Sequence, residues 1–212
     1  MTLPHADAKP QTMSSLRTIC VYCGSGSGTK PAFAAAAREF GKILAESRIE
    51  LVYGGGSIGL MGELAKSALR HGGKVTGVIP EFLIEREHML QQAHQIVTKD
   101  MHERKRIMFE RSDAFVALPG GVGTLEELVE QLTWAQLGRH QKPILAASIE
   151  NFWDPLCALL DHMEATHFIR AGLTVQLLVV NKVADILPRL RQALEPVTEP
   201  DKAMKTVAPE RM

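Results

Sequence analysis

Apolar residues along the chain follow two alternating patterns. Short continuous apolar runs end in glycine or proline, and longer stretches repeat apolar residues every three or four positions. The first pattern reads as strands buried on both faces, the second as helices with one buried face. Arg17 to Cys23 is the first run and stops at Gly24-Ser-Gly-Ser-Gly28. Pro31 suits the first turn of a helix, in which Phe33, Ala37, Phe40 and Leu44 share one face. Leu51 to Tyr53 is a second strand, followed by Gly54-Gly-Gly-Ser-Ile-Gly59 and a helix that stops at Gly72. Val75 to Ile79, closed by Pro80, and Gln95 to Thr98 are the next two strands. Asp100 is placed to cap a helix running to Arg111. Ala114 to Leu118 ends in Pro119-Gly-Gly-Val-Gly123, and Thr124 opens a helix to Leu137. Pro143 to Ile149 reads as a strand, Asp154-Pro155 as a helix start, and Val183 to Leu194 as the last helix.

Strands alternating with helices predict an α/β chain: a three-layer Rossmann-like fold, its central parallel sheet covered by helices on both faces. Ligands of such sheets bind outside the carboxyl ends of the strands. Three strands here end in glycine-rich turns on that edge, so the chemistry is expected there. Residues 1–15 and 195–212 show no periodicity and read as flexible tails around one domain spanning 16–194.

Composition removes several classes of function. Lys and Arg number 24 and Asp and Glu 24, a balance that argues against a general nucleic-acid binder. No apolar run approaches the ~20 residues of a membrane span. The polar N-terminus lacks the apolar stretch of a signal peptide. Cys20, Cys23 and Cys157 make no disulfide framework, and the cytoplasm is the default expectation. Cys20 and Cys23 match C-x-x-C, but Cys20 falls inside a strand, where a thiolate is not stabilised, so both read as core residues. The eight histidines have no metal-binding spacing, and neither a metal nor another cofactor is expected.

Gly54 to Gly59 satisfies G-x-G-x-x-G between a strand and a helix, the context of a dinucleotide fingerprint. A tight structural turn or a general nucleotide loop fits better, because the following strand ends in Pro80-Glu81 rather than at a clear ribose-binding acid. Pro119-Gly-Gly-Val-Gly-Thr-Leu-Glu-Glu127 is the stronger signal. Its glycines expose backbone N–H groups, and the helix that follows adds the positive end of its dipole, making a seat for one phosphate. No lysine follows the loop, so it is not a Walker loop. Thr124 and Glu127 have capping-box spacing, which leaves Glu127 open between a cap and a site residue. Leu125, Leu128, Val129, Leu132 and Ala135 predict the buried stripe of this helix. Glu127, Gln131 and Trp134 then lie on another face, where a Trp suggests a contact with a partner subunit or a ligand. Arg104 falls on the apolar stripe of the helix after Asp100 and needs an anion or a route to solvent.

Three segments together resemble a known family: Val21-Tyr-Cys-Gly-Ser25, Leu51-Val-Tyr-Gly-Gly-Gly-Ser-Ile-Gly-Leu-Met-Gly62, and Met101-His-Glu-Arg-Lys105 followed by Pro119 to Glu127. They are similar to the LOG (Lonely Guy) family of cytokinin riboside 5′-monophosphate phosphoribohydrolases, whose members were often mislabelled lysine decarboxylases. The similarity runs from Leu16 to Leu194. It implies a Rossmann-like homodimer that hydrolyses the N-glycosidic bond of adenosine-type nucleoside 5′-monophosphates to free base and ribose 5-phosphate. It implies Arg104 and Glu127 as catalytic residues. It implies substrate binding by Gly24, Ser25, Glu87, Lys105, Gly120, Gly121, Val122, Gly123, Thr124, Glu126 and Thr133. Val122 stands where plant members usually carry an aromatic, and Gly26 where Ser is more usual; both departures bear on the preferred base.

The chemistry of the residues agrees with that reaction. Breaking a ribosyl bond passes through an oxocarbenium-like state, which a carboxylate stabilises. Three other classes compete: a nucleotide or cofactor carrier of the same fold, like the molybdenum-cofactor carriers; an NAD(P)-dependent enzyme using Gly54 to Gly59; and a pyridoxal-phosphate decarboxylase, which lacks a lysine in a recognisable Schiff-base context.

Overall fold

The computed structural model describes residues 16–169 and 176–195. The predicted tails, 1–15 and 195–212, lie outside the described residues except for Glu195. Seven strands form one sheet: β1 (Thr18–Tyr22), β2 (Glu50–Tyr53), β3 (Val75–Pro80), β4 (His94–Thr98), β5 (Ala114–Ala117), β6 (Ile144–Ala147) and β7 (Leu177–Val180). All neighbours pair in parallel, in the order β4-β3-β2-β1-β5-β6-β7. The helices are α1 (Pro31–Glu46), α2 (Gly59–Arg70), the single turn α3 (Ile84–Glu87), α4 (Met101–Arg111), α5 (Val122–Gln136), α6 (Asp154–Ala165) and α7 (Ile186–Leu194).

Each strand sends alternate side chains to opposite faces. In β1, Ile19 and Val21 join the core under α1, α2 and α7. Cys20 and Tyr22 join the core that Met108 of α4, Leu128 and Leu132 of α5 and Trp153 build on the other face. Both faces are covered, which is why β1 reads as an unbroken apolar run rather than an alternating one. The predicted stripe of α1 is the observed one, with Phe33, Ala37, Phe40 and Leu44 all buried.

Several elements differ from the sequence reading: the 3₁₀ turn Glu81–Leu83 and the short α3 were not read at all, and the strand read as Pro143 to Ile149 ends at Ala147, with Ile149 opening a 3₁₀ turn. Leu177–Val180 is a strand that the pattern did not reveal. The last helix begins with a 3₁₀ turn, Val183–Asp185, before α7.

The chain builds outward from β1 to β4, then returns to lay β5 against the other side of β1. The reversal between β1 and β5 is the topological switch point, where loops leave in opposite directions and open a crevice. The Leu118 N–H donates to the Tyr22 carbonyl at 2.9 Å, and the Gly24 N–H to the Pro119 carbonyl at 3.1 Å. The two glycine-rich loops are thereby stitched side by side at the crevice.

Candidate active site

The site begins with how α4 is started. The Asp100 carboxylate accepts from the Glu103 N–H at 2.8 Å, and the Glu103 carboxylate accepts from the Lys99 N–H at 2.9 Å. This reciprocal cap fixes the first turn. One turn on, Arg104 points under the sheet edge, and it is buried together with Met108 on this helix. Its Nε donates to the Val78 carbonyl at 3.0 Å, and its Nη1 lies 3.1 Å from the Glu127 carboxylate. A Cβ at Gly54 would stand 2.4 Å from Arg104 Nη2. The first glycine of the G-x-G-x-x-G segment thus makes room for a guanidinium.

The same segment does not offer α2 to a phosphate. The N–H groups of Leu60 and Met61 donate to the Gly24 carbonyl, and Leu60 also approaches the Gly26 carbonyl. The anion seat that a dinucleotide would need is filled by the neighbouring loop.

At α5 the N-cap is Gly121, without a side-chain cap bond. Thr124 and Glu127 are therefore the third and sixth helical residues, and the capping-box alternative for Glu127 is overturned. Among the described residues, the N–H groups of Val122, Gly123 and Thr124 have no hydrogen-bond partner, and they form the open N-terminus of α5. The stripe of α5 is also rotated from the sequence reading. Thr124, Glu127, Leu128, Gln131 and Leu132 are buried, whereas Leu125 and Val129 are 37% and 40% exposed. The helix turns its polar residues inward because Arg104 supplies a buried cation for Glu127. Trp134 is half-buried and packs edge-on against Phe109, with Arg139 stacked 4.1 Å from its ring. These contacts leave Trp134 only partly exposed rather than standing free on a solvated face.

The side chains of Arg104 and Glu127 are only 11% and 10% exposed. Burial pushes the Glu127 carboxyl above its ordinary range; Arg104 and Lys105 oppose this, and Glu126 and Glu130 add to it. The pair sits at the base of a cleft of about 330 Å³. Gly24, Ser25, Glu87, Gly121, Val122, Gly123, Thr124 and Glu126 line it with the pair, as do Gly54, Met61, Leu83 and Met101. One Glu87 carboxylate oxygen is buried there without a partner. Gly120 lines an adjoining hollow, also about 330 Å³, between the two glycine loops, Phe33 and Phe152.

The structure does not bring every residue from the resemblance into the cleft. Lys105 Nζ is held by Glu126 at 2.7 Å and Glu130 at 3.0 Å. Thr133 is exposed on the outer side of α5 and donates to the Val129 carbonyl. Met61, Leu83 and Met101 were not singled out from sequence, since an apolar residue in a site carries no local mark that separates it from core. The role of Gly54 was hidden for another reason: it lies far in sequence from the arginine it accommodates.

Known proteins match this chain closely. The family model described as "Possible lysine decarboxylase" matches residues 61–190. A probable cytokinin riboside 5′-monophosphate phosphoribohydrolase of Oryza sativa subsp. japonica is 44% identical over 175 residues, covering 82% of this chain and 78% of that protein. A cytokinin riboside 5′-monophosphate phosphoribohydrolase of Arabidopsis thaliana is 48% identical over 161 residues, covering 75% and 74%. The chain belongs to the LOG family. Among solved structures, the LOG-family fold here is similar to the molybdenum cofactor carrier protein of Chlamydomonas reinhardtii. The TM-score is 0.63 at 25% identity, over 85% of this chain and 99% of that one.

Proposed function

We propose that the protein hydrolyses the N-glycosidic bond of adenosine-type nucleoside 5′-monophosphates, releasing the free base and ribose 5-phosphate. The observation that carries this reading is the buried Arg104–Glu127 pair beside the unpartnered N–H groups that open α5. Those N–H groups and the helix dipole receive the 5′-phosphate. Glu127 lies one turn further along, about 5 Å up the axis from the seat. That offset suits a carboxylate facing the anomeric carbon. As the bond to the base lengthens, positive charge develops on the ribose, and ionised Glu127 stabilises it. Water then adds its hydroxyl to the anomeric carbon, and its proton balances the departing base. Arg104 keeps Glu127 charged against the pull of burial and fixes its direction. Glu87, with its unpartnered oxygen, accepts from a hydroxyl or amine of the nucleoside.

The relatives' names support the reading, as each is a phosphoribohydrolase of a cytokinin riboside 5′-monophosphate. The carrier alternative has a fold likeness in its favour. A carrier needs the phosphate seat but has no use for a desolvated carboxylate paired with arginine. Pyridoxal phosphate does not fit, because no lysine lines the cleft. The test is to incubate the protein with AMP, prenyl-AMP, GMP and CMP and follow release of free base. Turnover of AMP or prenyl-AMP well above GMP and CMP is the expected result; binding without release would favour the carrier.

The reading extends to a homodimer. Val122, Leu125, Val129 and Leu137 form an exposed apolar stripe down α5, with Thr133 between them. Such a stripe is suited to a two-fold contact between copies. Across it, Thr133 would face the partner rather than its own cleft.

A further inference from the structure

Consecutive residues of α4 meet consecutive residues of α5. Arg104 reaches inward to Glu127, while Lys105, pointing about 100° away around the helix, crosses to Glu126 and Glu130. Glu126 and Glu130 are four apart and bracket Glu127 on the same helix. The Lys105 side chain is only 13% exposed, and its Nζ makes two short contacts, so it is not a loose surface cation. It does not line the cleft, although Glu126, its partner, does. To touch a nucleotide it would have to leave both carboxylates, stranding the Glu130 oxygen it holds beside a second one that is already buried without a partner. Breaking such a contact is costly, because charge is left desolvated and unpaired.

We propose that Lys105 is a positioning residue for the hydrolysis proposed above: by bridging Glu126 and Glu130 it locks the first turns of α5 against α4, and so holds the Glu127 carboxylate on Arg104. The bridge has an electrostatic consequence as well. Glu126 and Glu130 both disfavour a negative charge on Glu127, and Lys105 offsets them. The layer between the two helices holds three carboxylates and two cations, Glu126, Glu127 and Glu130 from α5 and Arg104 and Lys105 from α4; from β1 and the residue after it, the Cys20 and Cys23 thiols and the Tyr22 phenol also lie near Glu127, and burial raises all three so that they stay neutral. Removing Lys105 leaves one cation against three anions.

This inference rests on Glu127 being the stabilising carboxylate, and the experiment separates the two. In the free protein, the Glu127 carboxyl is titrated by ¹³C NMR in the wild type, Lys105→Met, Lys105→Arg and Glu130→Gln. Lys105→Met should raise the Glu127 midpoint by about half a pH unit or more, as expected for loss of a nearby cation. Lys105→Arg should restore it, and Glu130→Gln should lower it. With AMP or prenyl-AMP as substrate, Lys105→Met should lower kcat about tenfold and leave KM within about twofold, since only the transition-state contact is disturbed. The acid limb of its kcat profile should move to higher pH. An unmoved Glu127 midpoint, or a tenfold rise in KM at unchanged kcat, overturns the proposal and returns Lys105 to the substrate. If Lys105→Met fails to fold, Lys105→Gln, which keeps a polar side chain without the charge, takes its place with the same expected rise in the Glu127 midpoint and fall in kcat. Failure of the hydrolysis reading itself would show separately, as a wild type that releases no base while the NMR shifts persist.

Discussion

On one face of the sheet, α1, α2 and α7 bury Phe40, Leu44, Leu64, Ile186 and Leu190 completely. Helices α1 and α2 approach so closely that a Cβ at Gly41 would stand 2.3 Å from the Leu64 carbonyl. On the other face, α4 and α5 bury Arg104, Glu127 and Gln131, α6 buries no residue fully, and Val122, Leu125 and Val129 face outward. The first face is closed mainly by apolar packing, with the buried Ser67 hydroxyl donating to the Arg38 carbonyl at 2.6 Å between α2 and α1. The second spends buried volume on charge and leaves apolar area uncovered. That inversion falls where the function proposed above places the reactive carboxylate and the contact with a second copy.

The sharpest break of this comparison is Glu127→Gln. The fold should survive, since no capping bond depends on Glu127, and base release should fall by about 10²-fold or more. Near-wild-type turnover by a folded variant would reduce the buried pair to packing. On the closed face, Leu64→Ala should cost about 3 kcal/mol in denaturant unfolding and leave the turnover of folded protein unchanged. A loss under about 1 kcal/mol would mean that this layer is less tightly packed than its burial shows. Val129→Asp places a charge on the outer stripe. It should weaken self-association at least about tenfold by light scattering, with little change in the secondary structure of the subunit. A wild type that is monomeric at micromolar concentration removes the dimer.

The smallest effect is a pH dependence. The Glu127 carboxyl titrates above its unfolded value, so its contribution to stability is full below the unfolded value and is lost as pH rises through the folded one. The melting-temperature difference between Glu127→Gln and wild type should therefore shift in favour of the Gln variant between pH 4 and pH 7, by a few degrees. A difference that stays flat would mean that Arg104 fully cancels the effect of burial.

Most of the sheet was legible because strands buried on both faces appear as compact apolar runs closed by glycine or proline. β7 was not: Leu177–Val180 is a four-residue apolar run, too short to separate from a helical segment by periodicity. The uncapped start of α5 and the inward course of Arg104 were also legible, since glycine before a helix and a cation on an apolar stripe are local signals. The orientation of α5 was not. Leu125 and Val129 satisfy the helical period as well as Glu127 and Gln131 do, and an outward apolar stripe looks like an inward one until the buried partner is known. The D-x-x-E of Asp100 and Glu103 and the T-x-x-E of Thr124 and Glu127 show the same ambiguity: one caps its helix and the other does not. The difference lies in where the preceding loop lets the helix begin, which two residues at matching spacing do not encode.

Three of the helices that start at the crevice, α1, α2 and α5, follow glycine-rich loops, and on the proposed reading the way each begins sets how much phosphate the chain can seat. Helix α1 opens on Pro31, which has no N–H to give, and its Phe33 N–H is bonded to the Lys30 carbonyl. The first N–H groups of α2 are stopped by the carbonyls of the Gly24 to Gly26 loop. The start of α4 is capped by the Asp100 side chain, so among these helices of the described residues α5 is the one with an uncapped end in the cleft. On the reading proposed above, a ligand with one terminal phosphate would find its donors there. A dinucleotide, whose pyrophosphate lies mid-molecule, would have to displace a loop that is hydrogen-bonded in place. In the function proposed above, selection of mononucleotides over dinucleotides would then rest on a plug of backbone carbonyls rather than on a side chain.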